Sequence, residues 1–129
     1  MKILLDTHIW LWLVSEPSKI ANNLHRALAD STTELWLSPI STWEVLVLAN
    51  KRRIRLDRDP GNWVATASTP FQEAPLTHEI MVVAHQLRLP QRDPADRFLA
   101  ATAKVLGLTL ATADTKLLGL GDIATLANR

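Results

Sequence analysis

The sequence predicts an α/β fold, a three-layer α/β/α domain with a central, mainly parallel sheet. Short apolar runs of strand length alternate with helical patterns, and no repeat, low-complexity tract or long linker interrupts the alternation. Strands joined through helices form right-handed crossovers, which place helices on both faces of a parallel sheet. The chain has 129 residues, 47% of them hydrophobic, so a single domain over residues 1–129 can bury its own core.

The chain begins with a predicted strand followed by two helices. Residues 2–6, KILLD, are an apolar run of strand length, and residues 7–15, THIWLWLVS, form a short apolar helix. Over residues 19–31 the apolar side chains recur every four positions, which indicates a helix with one buried face. Ser18 stands directly before this segment and is expected to cap it.

A second strand and two more helices follow. The second strand is residues 34–38, ELWLS. Ser38 followed by Pro39 is a favourable helix start, because proline suits the first helical position, and this helix is expected to run to about Lys51. Residues 59–68, DPGNWVATAS, form another short helix.

The rest of the chain repeats the alternation. Within residues 92–107, Asp93 can cap a helix, Pro94 fits its first turn and Gly107 fits its end. The other segments are an extended stretch at 71–77, a helix at 78–89, a strand at 108–112, a short helix or turn at 114–121 and a last strand at 123–127.

The composition excludes several kinds of site. There are no cysteines, so disulfides and thiolate metal sites are ruled out, and any metal must be held by oxygen or imidazole ligands. The formal net charge of +1 does not indicate a nucleic-acid-binding protein, although basic residues can be concentrated locally. The sequence has no signal peptide and no run of about 20 apolar residues, so we expect a cytoplasmic protein without membrane association.

Two aspartates follow predicted strands. Asp6 ends the first strand, and Asp114 follows residues 108–112. Ligands of open parallel sheets bind beyond the carboxyl ends of the strands, which favours a functional role for both side chains. Aspartate is also a favoured N-cap, so capping alone explains either residue. Asp93 and Asp96 share one helix start, where Asp93 suffices as the cap and Asp96 is left for another role.

Glu44 is the most informative acid. Its neighbours Trp43 and Val45 to Leu48 are apolar, so the helix that carries it is expected to be buried nearly all round. A glutamate in such surroundings needs a partner. An ion pair with an arginine such as Arg97 and a role in binding a metal ion both satisfy this requirement.

Together these acids suggest a site for a hard divalent cation. Magnesium takes oxygen ligands and keeps several of its waters, which suits three or four carboxylates at strand ends. Phosphodiester hydrolysis uses this arrangement, because bound metal lowers the pKa of the attacking water and stabilises the leaving oxygen. Without a metal the like charges repel, which raises the pKa of some of the carboxyl groups.

Four motifs, in order, resemble those of the PIN-domain nucleases, and most closely those of the VapC-type toxins of bacterial toxin–antitoxin pairs. The motifs are LLDTH at residues 4–8, SPISTWEV at 38–45, RDPADRFLAATA at 92–103 and LATAD at 110–114. The likeness extends over essentially the whole chain and implies a single PIN-like domain.

The resemblance implies a metal-dependent endoribonuclease that acts as a toxin and leaves a 5′-phosphate and a 3′-hydroxyl. Asp6, Glu44, Asp96 and Asp114 match the four acids of the family site. By this resemblance Asp6, Asp96 and Asp114 contact Mg²⁺ or Mn²⁺ directly or through water. Glu44 completes the cluster and helps to orient the water.

Supporting residues and partners are implied in the same way. Thr7 and Thr112, and more weakly Ser41, match small polar positions that support the acids. The expected partners are an RNA substrate, a cognate antitoxin whose C-terminal segment lies across a groove near the active site, and a second copy of the chain in a homodimer. Trp10 and Trp12 lie in a helix that is apolar on all sides, and core packing accounts for only one of them, which agrees with a partner surface.

Arginines supply candidate contacts to the substrate. Arg92 and Arg97 lie close to the third motif and are the better candidates for touching a phosphate. Residues 51–58, KRRIRLDR, hold five basic side chains, but Asp57 and Asp59 dilute the charge, and a solvated helix end explains the segment slightly better than RNA binding does.

The histidine at position 8 disfavours two other interpretations of Asp6. Residues two apart on a helix point about 200° apart, so His8 is not expected to share a metal with Asp6. A hydrolase with Asp6 as nucleophile, on the aspartyl-phosphatase pattern, has a second aspartate where this chain has His8, which disfavours that function.

A non-catalytic PIN-like module that binds RNA or protein remains the main alternative. Loss of one acid would favour it, and all four acids are present.

Overall fold

A five-stranded sheet forms the centre of the computed structural model, which describes residues 1–89 and 93–129. Every pair of neighbouring strands runs parallel, and the order across the sheet is β3-β2-β1-β4-β5. The strands are β1 (Lys2–Leu5), β2 (Glu34–Leu37), β3 (Gln72–Glu73), β4 (Thr109–Thr112) and β5 (Ala124–Ala127). The predicted α/β fold with a parallel sheet is confirmed.

Helices connect the strands in the order that the sequence predicts. They are α1 (Thr7–Ser15), α2 (Asn22–Ala29), α3 (Pro39–Asn50), α4 (Pro60–Ala67), α5 (His78–Gln86), α6 (Pro94–Leu106) and α7 (Thr115–Leu118). Over the described residues, no helix is both long and apolar enough to cross a lipid bilayer.

The two faces of the sheet carry separate cores, as the alternation of side chains along β1 requires. Ile3 and Leu5 are fully buried against residues of α1, α2 and α4. Leu4 is buried on the opposite face against α5 and α6. Helices therefore cover both faces of the sheet, which gives the predicted three layers.

Helix α6 begins and ends at the predicted residues. The Asp93 carboxylate accepts a hydrogen bond from the Ala95 amide at 3.0 Å, and Pro94 occupies the first helical position. Gly107 ends the helix with a φ of 66°, a left-handed conformation that glycine adopts without a steric penalty. Its alanine-rich buried face packs on the sheet and on α5.

The predicted cap of the second helix is wrong. Ser18 lies inside a short 3₁₀ turn, Pro17–Lys19, and α2 begins three residues after that turn, at Asn22. The chain is extended at Ile20, which places this side chain in the core. The Ala21 amide donates to the Asn128 side chain at 2.7 Å, so a residue near the far end of the chain supports the start of α2.

Asn128→Ala is expected to destabilise the protein by about 1 kcal/mol and to lower the melting temperature by roughly 4 °C. The Asn128 side chain accepts from the Ala21 amide and donates to the Lys19 carbonyl at 2.9 Å, and alanine removes both bonds. Thermal unfolding measures the effect, with the exposed Asn22→Ala as the matched control. A melting temperature within 1 °C or so of the wild type would contradict this role.

The expectation that α3 is buried nearly all round is also wrong. Only Ser41 and Val45 of this helix are buried, and the Trp43 side chain is 63% exposed. Helix α3 packs mainly against α1 and α6, and its outer side leaves Trp43 exposed. In the first apolar helix, by contrast, Trp10 is fully buried while Trp12 is partly exposed, as predicted.

Candidate metal-binding active site

The candidate acids lie where the strand order of the sheet reverses. Strands β1 and β4 are neighbours, yet the chain continues from β1 to the β2 side and from β4 to the β5 side. The helices after these two strands therefore diverge and leave a crevice beyond their carboxyl ends, the usual ligand position in parallel sheets. Asp6 and Asp114 follow the two strands at this edge, as predicted.

Asp6 is held rigidly at the start of α1. Its side chain is only 8% exposed. One carboxylate oxygen accepts from the Thr7 amide at 2.7 Å, and the other accepts from the Thr112 hydroxyl at 2.7 Å. Burial raises the pKa of Asp6, and these two hydrogen bonds partly offset the rise.

The Thr112 hydroxyl joins two of the acids. It donates to Asp6 and accepts from the Asp114 amide at 3.0 Å. The Asp114 side chain in turn accepts from the Lys116 amide at 2.9 Å, so Asp114 caps α7. Asp114 can therefore cap α7 and still lie beside Asp6.

Glu44 approaches Asp6 through the hydroxyl of the next residue. The Thr7 hydroxyl donates to Glu44 Oε1 at 2.5 Å, and the Ser41 hydroxyl lies 2.9 Å from the same Thr7 oxygen. Since Thr7 has one hydroxyl proton, Ser41 is the donor in the second contact. Burial raises the pKa of Glu44, and the charges of Asp93 and Asp6 raise it further.

Asp96 carries the strongest electrostatic signal. It lies in the first turn of α6, and its pKa is raised from 3.8 to about 7. Burial is the largest cause, followed by the charge of Asp93 and then by Asp6, Asp114 and Glu44. The carboxyl groups are close enough to repel one another, although they come from four distant parts of the sequence.

One cavity of about 360 Å³ contains all four predicted acids. Its other lining residues are His8, Trp12, Asp93 and Ala113. Asp93 therefore does more than cap α6, because its carboxylate also faces the acidic cavity.

The donor set fits a hard divalent cation. Oxygen ligands predominate around the cavity, and none of the ion pairs between described residues neutralises Asp6, Glu44 or Asp96. Within residues 1–89 and 93–129, no group of three acids or histidines is already drawn close enough to hold a metal ion. Carboxylates of like charge repel one another, so a bound dication would have to draw them closer together.

His8 is a lining residue that the sequence argument missed. The expected separation of Asp6 and His8 assumed that both residues belong to one helix and point in opposite directions. Asp6 instead precedes α1 as its N-cap, with an extended backbone, so the helical angle does not apply. The exposed His8 ring lines the acidic cavity and lies 6.0 Å from the Trp12 ring, measured between centroids.

The structure describes only one of the two arginines that were predicted to contact a phosphate. The Arg97 guanidinium donates to the carbonyls of Ala84, Leu87 and Leu89 at 2.9 to 3.2 Å, so it ties the end of α5 to α6. It does not pair with Glu44, and its position gives no support to a phosphate contact. Arg92 lies outside the described residues.

Thr112→Val is expected to reduce metal-dependent catalysis roughly tenfold and to raise the metal concentration that gives half-maximal activity. Valine keeps the shape of threonine but removes the donor to Asp6 and the acceptor for the Asp114 amide. Activity measured across a metal titration tests this, with Thr109→Val at the other end of β4 as the control. Wild-type metal dependence in Thr112→Val would contradict a positioning role.

Comparisons with known proteins give a consistent result. The family model described as "PIN domain" matches residues 3–122. The chain is 30% identical over 118 residues to Ribonuclease VapC22 of Mycobacterium tuberculosis, covering 89% of this chain and 88% of that protein.

Solved structures share the fold. A chain of FitAcB from Neisseria gonorrhoeae superposes with a TM-score of 0.66 at 27% identity, covering 96% of both chains. A chain of VapBC2 from Rickettsia felis, solved with a DNA fragment from the promoter, has a TM-score of 0.77 at 16% identity and covers 98% of both chains.

Proposed function

The chain belongs to the PIN-domain family, and from this membership we propose that it is a metal-dependent endoribonuclease, the toxin of a toxin–antitoxin pair. The observation that carries the proposal is the acidic cavity. Asp6, Glu44, Asp96 and Asp114 line one space, and the pKa of three of them is raised. Natural sequences keep such repelling groups together where a cation or a reaction requires them.

Asp6, Asp96 and Asp114 would hold Mg²⁺ or Mn²⁺, directly or through water. The ion, when bound, would lower the pKa of the attacking water and stabilise charge on the phosphate and leaving oxygens. The protein's contribution is to fix the ligands in advance. Thr112 and the Thr7 amide orient the two oxygens of Asp6, so little freedom is lost when this carboxylate engages a cation.

Glu44 has a different role in this proposal. The Thr7 hydroxyl donates to Oε1, and the Ser41 hydroxyl donates to Thr7, which orients the Glu44 carboxylate in the lining of the cavity. The other oxygen has no hydrogen-bond partner in the described ranges and can accept a proton from the attacking water. Burial raises the pKa of Glu44, which makes this carboxylate a better proton acceptor than an ordinary one.

A protein partner is part of the proposal. The similar structures include toxin–antitoxin complexes, among them one from Klebsiella pneumoniae that covers 98% of this chain with a TM-score of 0.69. Beside the acidic cavity, a second cavity of about 300 Å³ is lined by apolar side chains of α3, including the exposed Trp43. An antitoxin segment that covers this surface would block access to the acids, and a homodimer would bury further apolar surface.

Incubation of the purified chain with single-stranded RNA tests the function. We expect internal cleavage in the presence of Mg²⁺ or Mn²⁺, 5′-phosphate ends on the products and no cleavage in EDTA. RNA binding without cleavage at any metal concentration would favour the non-catalytic module instead. Cleavage that survives removal of all divalent metal would contradict the proposed chemistry.

A further inference from the structure

We propose that Arg52, Arg53 and Arg55 form a groove that binds the backbone phosphates of single-stranded RNA next to the acidic cavity. The inference rests on the proposed ribonuclease function and names how its substrate is held. These arginines belong to residues 51–58, called the basic segment below, which connect α3 to the start of α4.

The acids near the basic segment are already engaged. Asp57 pairs with Arg58, with an Nε to Oδ1 distance of 3.1 Å. Asp59 caps α4 by accepting from the Asn62 amide at 3.2 Å. In the described part of the chain, no hydrogen bond or ion pair engages the side chains of the three proposed arginines. Glu16, which lines one cavity together with Arg53 and Arg55, pairs with Lys19 at 3.1 Å. Among the described residues, no acid therefore neutralises the three arginines through direct contact.

The backbone of the basic segment is anchored so that its arginines face solvent. Ile54 and Leu56 pack against the core beside α1 and α4. Arg53 and Arg55 alternate with them and are exposed. This alternation directs the Arg53 and Arg55 side chains towards solvent on the side away from the core.

Arg52 occupies a conformation that favours glycine. Helix α3 ends with the Arg52 amide donating to the Ala49 carbonyl and the Arg53 amide donating to the Leu48 carbonyl, both at 3.0 Å. In this type of helix end the residue at position 52 is left-handed, and Arg52 has a φ of 56°. Arg52 thus places a cation where glycine would be less strained, at the carbonyl end of α3, which favours positive charge.

The cavities beside the arginines share lining residues with the acidic cavity. Two cavities, of about 550 and 700 Å³, share the stretch from Arg53 to Leu56 as a common wall. The first of them reaches His8 and Trp12, which also line the acidic cavity. In the proposed binding mode, a strand whose scissile phosphate lies at the acids continues past His8 and Trp12 to the arginines.

Single-stranded RNA is the occupant that this chemistry favours. The acidic cavity repels a polyanion until metal binds, and the net charge of +1 gives little long-range attraction, so a local cationic anchor is needed. Trp12 is partly exposed, and Lys19 Nζ lies over its ring, 5.6 Å from the centroid. In the proposed complex a base stacks on the Trp12 ring, a typical element of single-strand binding.

The first test measures RNA affinity in the Asp96→Asn background, where the substrate stays intact. A fluorescent oligouridylate is titrated at several salt concentrations. Arg53→Gln/Arg55→Gln should weaken binding about tenfold at low salt and reduce the slope of log K against log salt by about 1.4, which is 0.7 for each lost contact. Lys2→Gln/Lys104→Gln, two charges removed elsewhere, should leave the slope unchanged. Equal slopes for both double variants would overturn the proposal.

Arg52→Gly separates a binding role from a structural one. Glycine fits the left-handed position, so the melting temperature should equal or exceed that of the wild type, by up to roughly 4 °C. RNA binding should nevertheless weaken, with a salt slope lower by about 0.7. Unchanged RNA binding by this well-folded variant would count against the groove.

A competitor distinguishes RNA from an acidic protein segment. Polyglutamate at equal charge concentration should displace the oligouridylate poorly, because it offers no bases to Trp12. Equal displacement would overturn the assignment to RNA in favour of an acidic polypeptide. Failure of the ribonuclease function would appear separately, as absence of metal-dependent cleavage by the chain with all three arginines intact.

Discussion

Asp96→Asn is expected to abolish RNA cleavage, by at least about 100-fold, and at the same time to stabilise the metal-free protein. The amide removes a ligand charge from the proposed metal site. It also removes a carboxylate whose pKa is raised to about 7 by burial and by Asp93, Asp6, Asp114 and Glu44. The gain should be about 1–2 kcal/mol near neutral pH, or roughly 5 °C, after allowance for solvent screening of a half-buried group.

The pH dependence of this gain has a definite sign. Because the folded-state pKa of Asp96 lies above the ordinary 3.8, the native protein keeps a proton that the unfolded chain releases between these values. The wild type therefore loses stability through this group as the pH rises from about 4 to 7. The advantage of Asp96→Asn should be largest at pH 7 and above and should shrink as the pH falls towards 4.

The control for this variant is Asp122→Asn, which removes one charge from an exposed ion pair with Lys104. It should leave cleavage unchanged and should not stabilise the protein. If Asp96→Asn cleaves RNA at a rate close to the wild type, Asp96 is not part of the reacting site. If it is less stable than the metal-free wild type, the account of repulsion among the acids is wrong.

Addition of Mn²⁺ or Mg²⁺ is expected to raise the melting temperature of the wild-type chain substantially. Metal that binds only the folded state stabilises it by about 2.7 kcal/mol at 100 times the dissociation constant, which corresponds to roughly 10 °C for a domain of this size. Neutralisation of mutually repelling carboxylates supplies the favourable term, so the effect should be reversed by EDTA.

Asp6→Asn provides the matched variant for the metal experiment. The Asp6 carboxylate is held by the Thr7 amide and the Thr112 hydroxyl and lies within the acidic cavity. An asparagine at this position should fold but should lose most of the metal-induced shift and the cleavage. A shift as large in Asp6→Asn as in the wild type would place the metal somewhere else.

The order and type of the helices and strands follow from local signals in the sequence. Ser38 with Pro39 starts α3, and Asp93 with Pro94 starts α6, because capping involves groups only two residues apart. Gly107 ends α6 for an equally local reason. Parallel strands joined by helices then place Asp6 and Asp114 at one edge of the sheet, so their proximity was predictable.

The predictions from sequence are wrong where contacts between residues far apart in the chain determine the local structure. Asn128 bonds to Ala21 from 107 positions away, and this contact makes a cap at Ser18 unnecessary. The contacts of Arg97 with the end of α5 likewise depend on how two helices pack. The exposure of Trp43 could not be predicted. A hydrophobic side chain indicates burial, but it does not show whether residues of the same chain will pack over it.

The geometry of the site lies between these cases. The four acids were predicted, but the hydrogen bonds that orient them depend on the packing of α1 against α3 and β4. His8 and Trp12 line the cavity, although the sequence did not predict this. For His8 the reason is that Asp6 precedes α1 as its N-cap and does not lie within the helix.

The central claim is that folding gathers these acids around one divalent ion, and anomalous diffraction from crystals soaked in Mn²⁺ tests it most directly. We predict a strong anomalous peak within about 2.5 Å of carboxylate oxygens of Asp6 and Asp96, with Asp114 in direct or water-mediated contact. A peak at another position, or no peak in this cavity at millimolar Mn²⁺, would contradict the claim.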